Sequence, residues 1–280
     1  VRDESVLSLR EYETPRSRTA EAVSAALRER IDEMASGIRV DGIGIGVPGM
    51  LDREREKVLR SPNFAGWEGL PLRILLEKSI GIPVRMENDA NCTAIGEGLL
   101  GAARGLEHYV VLTLGTGIGG GVVVGGKLLR GGHGMAGEPG HLVIGGSKPC
   151  GCGGLGHLET VAGADGIERR AKEAGFEPDL KALWEQREDP RLEPVWKDVL
   201  EALGASVASL VHVLDPEAVV LGGGLGPARG FLETLEPIVK RYLGEPYRSS
   251  LDLRVAKLGK AAAVIGAASL FVRDTRERLC

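Results

Sequence analysis

No run of lysine or arginine occurs anywhere in this 280-residue sequence, and the formal net charge is -4. Binding to nucleic acid depends on a concentrated basic patch that displaces counterions, so that class of partner is excluded and small molecules are expected instead. No apolar run approaches the ~20 residues needed to cross a bilayer, and the first residues carry no signal-peptide pattern. A cytoplasmic protein with no membrane partner is the expectation. Four cysteines are too few for a disulfide framework in a chain of this length. Internal repeats and low-complexity tracts are absent too. What is present is 43% hydrophobic content, enough for one large core or two smaller ones, and two lobes are expected.

Two of the cysteines fall in the most informative stretch, Glu138-Pro-Gly-His141 followed by Cys150-Gly-Cys152-Gly-Gly-Leu-Gly-His157-Leu-Glu159. It is glycine-rich and holds too few apolar residues to be core. His141, Cys150, Cys152 and His157 supply the four nitrogen and sulfur ligands that tetrahedral zinc prefers, within a short closed loop. A complete set leaves no open position for water, so the metal would be structural, and the carboxylates of Glu138 and Glu159 become candidates for gripping a ligand. The alternative is a flexible loop with incidental cysteines. Cys92 and Cys280 suggest nothing beyond a packed thiol and a tail residue.

The chain begins without methionine. Residues 6–14 read as a strand with nothing before it to pair with, so a preceding strand is expected on its open edge. Thr19 to Ala35 has helical periodicity and Val40 to Val47 reads as a buried strand ending in the turn Pro48-Gly49. A helix over Leu70 to Ser79 and a strand over Pro83 to Met86 lead into Glu87-Asn88-Asp89-Ala90-Asn91. This alternation predicts an α/β arrangement. A helix from Ala90 to Leu100 and a strand from Tyr109 to Leu114 follow, then the loop Gly115-Thr-Gly-Ile-Gly-Gly-Gly121 and a strand from Val122 to Val124. Beyond the cysteine loop the pattern predicts helices near 159–174, 195–213 and 229–243, strands over Ala218–Leu221 and Leu253–Leu258, and a last helix from Ala261 to about Arg273. The charged segment Asp179 to Glu193 is expected to be peripheral.

Gly115-x-Gly117-x-x-Gly120 matches the dinucleotide fingerprint by letter, but that fingerprint needs a helix directly after the glycines, and a hairpin is predicted here. No Gly-Lys-Ser/Thr closes it as a Walker loop. What remains is a hairpin tip whose amides, with the Thr116 hydroxyl, can form an anion-binding concavity, or a tight turn that simply needs small residues. Gly222-Gly-Gly224, between a strand and a helix, allows close approach by a flat ligand or close packing of its own neighbours. Glu87-Asn88-Asp89 lies at the carboxyl end of a strand, where open α/β sheets bind ligands. Asp89 could take a proton from an attacking hydroxyl, while Asn88 or Asp89 equally suits an ordinary helix N-cap.

Val-Pro-Gly49, Asn63-x-x-Gly-Trp67, Glu-Asn-Asp-Ala-Asn91, the Gly-Thr-Gly hairpin, Glu-Pro-Gly-His141, Cys-x-Cys-Gly-x-x-Gly-x-Leu-Glu159 and Leu-Gly-Gly-Gly224 occur in that order. In this the sequence resembles the ROK family of bacterial sugar kinases and repressors, in its glucokinase branch. The resemblance covers nearly the whole chain. It implies an α/β, two-lobed actin-like ATPase (sugar kinase) fold with a zinc-stabilised loop, closing on a hexose and on ATP with Mg2+. Residues 1–95 would form a smaller lobe with an incomplete amino-terminal strand pair, joined by the final helix 261–280. Residues 96–260 would form a larger lobe with the nucleotide hairpin and the zinc loop.

Carried over position by position, the resemblance makes Asp89 the base that deprotonates the 6-hydroxyl of the sugar. It assigns Gly49, Asn63, Asn88, Glu138, His141 and Glu159 to the other sugar contacts, with His141 shared between sugar and zinc. Thr116 and Gly117 match a phosphate motif, and Gly223 and Gly224 an adenosine contact. His157 stands where the family usually has a third cysteine. The family's first phosphate motif, Asp-x-Gly-x-Thr, belongs to an opening strand pair that this sequence does not contain, and a truncated sequence is the expected reason. The implied activity is ATP-dependent phosphorylation of glucose at its 6-hydroxyl. The alternatives are N-acetylmannosamine, N-acetylglucosamine or fructose as substrate, or, if the first phosphate motif is truly absent, a catalytically silent sugar-binding protein. A homodimer or homotetramer is the expected assembly.

Overall fold

The computed structural model describes residues 6–35, 37–61, 64 and 66–271. The first helix, α1 (Ala20–Met34), starts where the Thr19 hydroxyl accepts from the Ala22 N–H. Strands β1 (Ile43–Val47), β2 (Met50–Leu51) and β3 (Val58–Arg60) precede α2 (Leu72–Ile80), which ends on Gly81 in the left-handed conformation at φ 77°. β4 (Val84–Asn88) runs directly into α3 (Asp89–Leu100). β1 and β4 pair in parallel with Val47 opposite Asn88, so their carboxyl ends are level, and β2 and β3 form an antiparallel hairpin beside them. Val47, Leu51, Val58, Trp67, Leu72, Leu76, Val84 and Met86 fill the core under this part.

The larger sheet contains β5 (Tyr109–Leu114), β6 (Ile118–Val124), β7 (Lys127–Leu128), β8 (Ala218–Gly223) and β9 (Leu253–Val255), in the order β7-β6-β5-β8-β9. β5 pairs antiparallel with β6 and parallel with β8. The apolar run Tyr109 to Leu112 in β5 reflects burial on both faces. Val110, Leu112 and Leu114 enter the large core, whereas Tyr109 and Val111 point to a second cluster with Ala94, Ile95 and Val220. The period-two geometry of a strand produces that division. Helices α4 (Glu159–Ala162), α5 (Ala164–Glu173), α6 (Leu180–Glu185), α7 (Glu193–Leu214), α8 (Phe231–Tyr242) and the short α9 (Tyr247–Ser250) follow the cysteine loop or flank β8.

The last helix, α10 (Ala261–Ser269), returns along α3 and β1. Glycine permits this contact: a Cβ at Gly96 would collide with the Ala262 carbonyl, and one at Gly266 with the Cys92 carbonyl. No helix among the described residues is long and apolar enough to cross a membrane.

β6 begins at Ile118, inside the expected 115–121 loop, and the structure departs further from the sequence expectations elsewhere. Residues 6–14 are exposed and form no strand, since a strand-like segment needs a pairing partner to become one. The helix expected near 159–174 breaks at Gly163, whose extended ψ of 153° ends α4 and starts α5. The segment 179–193 is not peripheral: Leu183, Trp184 and Leu192 are core. Trp184 meets Trp196 and Phe231 edge to face, with ring centroids 5.0 and 5.1 Å apart.

Candidate active site

The end of β1 and the end of β4 build one wall of a cleft. Gly49, just past β1, has φ 130° and lies so close to Arg60 that a side chain would strike its carbonyl. Its own carbonyl accepts from Asn88 Nδ2 at 3.0 Å. The Asn88 Oδ1 accepts from the Asn91 N–H at 2.9 Å, so Asn88 is the N-cap of α3. That settles which of the two neighbours caps the helix. The Asp89 Oδ1 accepts from the Ala90 N–H, and among the described residues the carboxylate has no cationic partner. Burial pushes its pKa above the ordinary value of 3.8, against the lowering effect of its backbone hydrogen bonds.

The preceding residue is held differently. Glu87 is fully buried; it accepts from Arg130 Nε at 2.8 Å, Asn91 Nδ2 at 3.1 Å and the Asn88 N–H at 3.0 Å, and it forms an ion pair with Arg55, whose Nε is 3.0 Å away. Arg55 also donates to the carbonyls of Asp52 and Gly134. A single carboxylate therefore ties the β2–β3 loop and the segment leading to Glu138 onto the strand that presents Asn88 and Asp89. Burial alone would raise the Glu87 pKa, but the two arginines outweigh it and the net shift is downward.

The opposite wall carries Glu138, His141 and Glu159. Burial, then the charges of Asp89 and Glu159, push the Glu138 pKa up to about 6. Glu138 precedes and His141 ends a short 3₁₀ turn at Pro139–His141, with Oε2 and Nδ1 3.8 Å apart. Glu159 opens α4 and its Oε2 accepts from the Ile118 N–H at 2.9 Å, while a side chain at Gly117 would collide with that carboxylate. This bond links the Glu159 carboxylate to the hairpin. The hairpin itself turns directly from β5 into β6, with no helix after its glycines, as the sequence predicts. The amino end of α5 rests on its tip, the Ala164 N–H donating to the Gly115 carbonyl at 2.9 Å, and the Thr116 side chain is exposed.

These pieces enclose a cleft of about 690 Å³, lined by Gly49, Asn88, Asp89, Thr116, Gly117, Glu138, His141, Glu159 and Gly223, with Arg60, Lys148, Cys150, Cys152 and Arg169 at its margins. Gly224 is not part of the lining; its N–H donates to the Leu114 carbonyl at 2.8 Å. Asn63 lies outside the described residues. A second concavity, about 610 Å³ between α1 and α2, holds no comparable convergence of acids and hydrogen-bonding groups.

Ligand atoms of His141, Cys150, Cys152 and His157 all lie within 4.8 Å of one another. Cys152 Sγ is 3.2 Å from His157 Nδ1, and the two imidazole rings are 5.0 Å apart. Two thiols and two imidazoles at such spacing fit a four-coordinate zinc ion in both chemistry and number.

A model of the ROK family matches residues 1–274. The chain belongs to the ROK family. A glucokinase from Thermotoga maritima is 39% identical, with 89% of this chain and 85% of that protein covered. A ROK hexokinase from Thermus thermophilus superposes with a TM-score of 0.81 at 40% identity, covering 94% of this chain and 90% of the other. A ROK family glucokinase from Streptomyces griseus, solved in complex with glucose and AMPPNP, gives a TM-score of 0.84 at 31% identity, covering 96% and 93%. The α/β fold is thus that of ROK sugar kinases. Sequence reasoning about this ROK chain overlooked three arginines at the site. Arg55 and Arg130 carry no motif signal, and Arg60 binds backbone carbonyls, which no residue pattern reveals. Glu87 was visible inside Glu-Asn-Asp-Ala-Asn91 without any sign of what it holds.

Proposed function

We infer that this chain is an ATP-dependent hexose kinase that phosphorylates the 6-hydroxyl of glucose. The observation that carries this reading is the placement of Asp89, a half-buried carboxylate with no cationic partner among the described residues, in one cleft with Glu138, His141 and Glu159 on one side and the 115–118 hairpin on the other. Its similarity to named glucokinases supports glucose as the acceptor. In this reading Asn88, Glu138, His141 and Glu159 hold the sugar hydroxyls, Gly49 contributes backbone, and Asn63 belongs to the same set.

The 6-hydroxyl would lie against Asp89, which accepts its proton as the oxygen attacks the terminal phosphorus of ATP. The new O–P bond forms as the bond to the β-phosphate oxygen breaks, and ADP carries away that pair of electrons. Amides at Thr116 and Gly117 and the Thr116 hydroxyl would hold the phosphates, with Gly223 against the adenosine. Mg2+ bound with ATP would supply neutralisation of phosphate charge. Residues 1–95 with the final helix, and residues 96–260, are the two bodies proposed to close on the substrates, excluding water and aligning the reactants.

His141, Cys150, Cys152 and His157 would hold zinc, which supplies a fixed loop where apolar packing is scarce. With one ring nitrogen of His141 engaged there, the other is left in a defined tautomer facing the sugar. A coupled ADP-release assay over a panel of hexoses tests the whole reading. Glucose is expected to be the preferred acceptor, and preference for N-acetylmannosamine, N-acetylglucosamine or fructose would reassign the substrate within the same chemistry.

A further inference from the structure

Arg60 closes β3, and its guanidinium leaves that hairpin to meet the cysteine loop. Nη2 donates to the Gly151 carbonyl at 2.8 Å and Nη1 to the Cys152 carbonyl. Both carbonyls belong to the turn between the two cysteines, which is closed by Gly153 N–H to Cys150 carbonyl and Cys150 N–H to Gly154 carbonyl, each 2.9 Å. The turn that converges the sulfurs therefore also aims these two carbonyls. Gly153, at φ 95°, lies against the guanidinium, where a Cβ would be 3.4 Å from Nη1.

On its other side Arg60 meets the sugar end of the cleft. Its carbonyl packs on Gly49, the neighbouring Ser61 Oγ donates to the Pro48 carbonyl at 2.6 Å, and the Gly49 carbonyl takes the Asn88 side chain. A chain of direct contacts runs from the cysteine turn to Asn88 without passing through His141.

We propose that Arg60 is a positioning residue that couples metal occupancy of the His141, Cys150, Cys152 and His157 cluster to the order of the β2–β3 hairpin, and through it to the Asn88 end of the cleft. The proposal rests on the zinc reading above. With the sulfurs pinned, the two carbonyls converge and one planar fork satisfies both. With the sulfurs released, the turn has little packing to hold it and the shared geometry is lost. Arginine suits this role because its donors form a rigid fork, whereas lysine is a single point charge that satisfies one carbonyl at a time. Coupling of this kind is mutual, so loss of Arg60 also loosens the metal.

The test is hydrogen exchange over residues 50–61 in zinc-loaded and chelator-stripped protein, for wild type, Arg60→Ala and Arg60→Lys, with zinc content measured first and circular dichroism checking the fold. Stripping is expected to speed wild-type exchange about fivefold, the lower end of typical site-to-site coupling for so exposed a contact. Arg60→Ala should exchange fast in both states, Arg60→Lys should lie between, and sugar-free zinc release should be faster in Arg60→Ala by a similar factor. The sugar KM should rise in Arg60→Ala with kcat retained. A folded wild-type protein that binds no zinc overturns the metal reading and the coupling together. Zinc bound normally, with hairpin exchange that responds equally in wild type and both variants, or in none, overturns the coupling alone.

Discussion

Glu87→Gln removes one charge and almost no volume, and its consequences can be worked out from the contacts. The wild-type carboxylate is 0% exposed and shared by Arg55 and Arg130, whose side chains are 11% and 26% exposed. Removing one partner from a buried ion pair costs about 3–5 kcal/mol, because the remaining charge stays desolvated. Partial exposure of Arg130 places this site at the lower end, about 3 kcal/mol. The glutamine amide also turns a donor toward donors. At about 2–4 °C per kcal/mol for a chain of this size, the melting temperature should fall by roughly 6–12 °C. Glu87 has a folded-state pKa below its ordinary value of 4.5. Its contribution is therefore complete above that value and lost as pH falls through the lower, folded-state one. The gap between wild type and variant, read by thermal and denaturant scans with circular dichroism, should be full at neutral pH and shrink only below pH 4.5. A neutral-pH loss under about 1 kcal/mol, within the range of an ordinary surface pair, would refute the claim that this carboxylate organises the site.

Asp89→Asn should lower kcat by roughly two to four orders of magnitude while sugar binding persists, measured by steady-state kinetics and calorimetry. Because Asp89 must be ionised to accept a proton and burial raises its pKa, wild-type kcat should fall on the acid side at a pH above 3.8, the ordinary aspartate value, and a limb at or below it would contradict the assignment. Thr116→Val should raise the apparent KM for ATP and leave sugar affinity nearly unchanged, whereas tight NADH binding without ATP binding would reverse the hairpin's assignment. Metal analysis should find about one zinc per chain, and the Cys150→Ser, Cys152→Ser double variant should lose it together with sugar binding; a full complement of zinc in that variant contradicts the ligand set.

The parts of the fold legible in the sequence are those with local cause. β5 was readable residue for residue, because a strand buried on both faces is almost wholly apolar, with Thr113 its one polar residue. The hairpin after it was distinguishable from a dinucleotide loop because Gly-Val-Val-Val follows the glycines. Likewise the histidine and cysteine spacing brought four donor atoms together, since those residues lie close in the chain. Residues 6–14 failed for the opposite reason: their composition states a preference, and strand formation needs a neighbour. In α6 the charges hid a short buried face containing Trp184. Whether Asn88 or Asp89 caps α3 could not be read from the sequence, and the Asn88 hydrogen bond to the Asn91 N–H shows that Asn88 does, while both residues line the cleft. Arg60 was illegible because its partners are carbonyls 91 and 92 residues away.

The most direct test of the central claim is glucose-dependent ADP release by the full-length protein, measured together with the phosphorylated product. One ADP and one glucose 6-phosphate should appear per ATP consumed, with no release in the absence of sugar. Folded, zinc-loaded protein that releases no ADP with glucose or any other hexose would contradict the account.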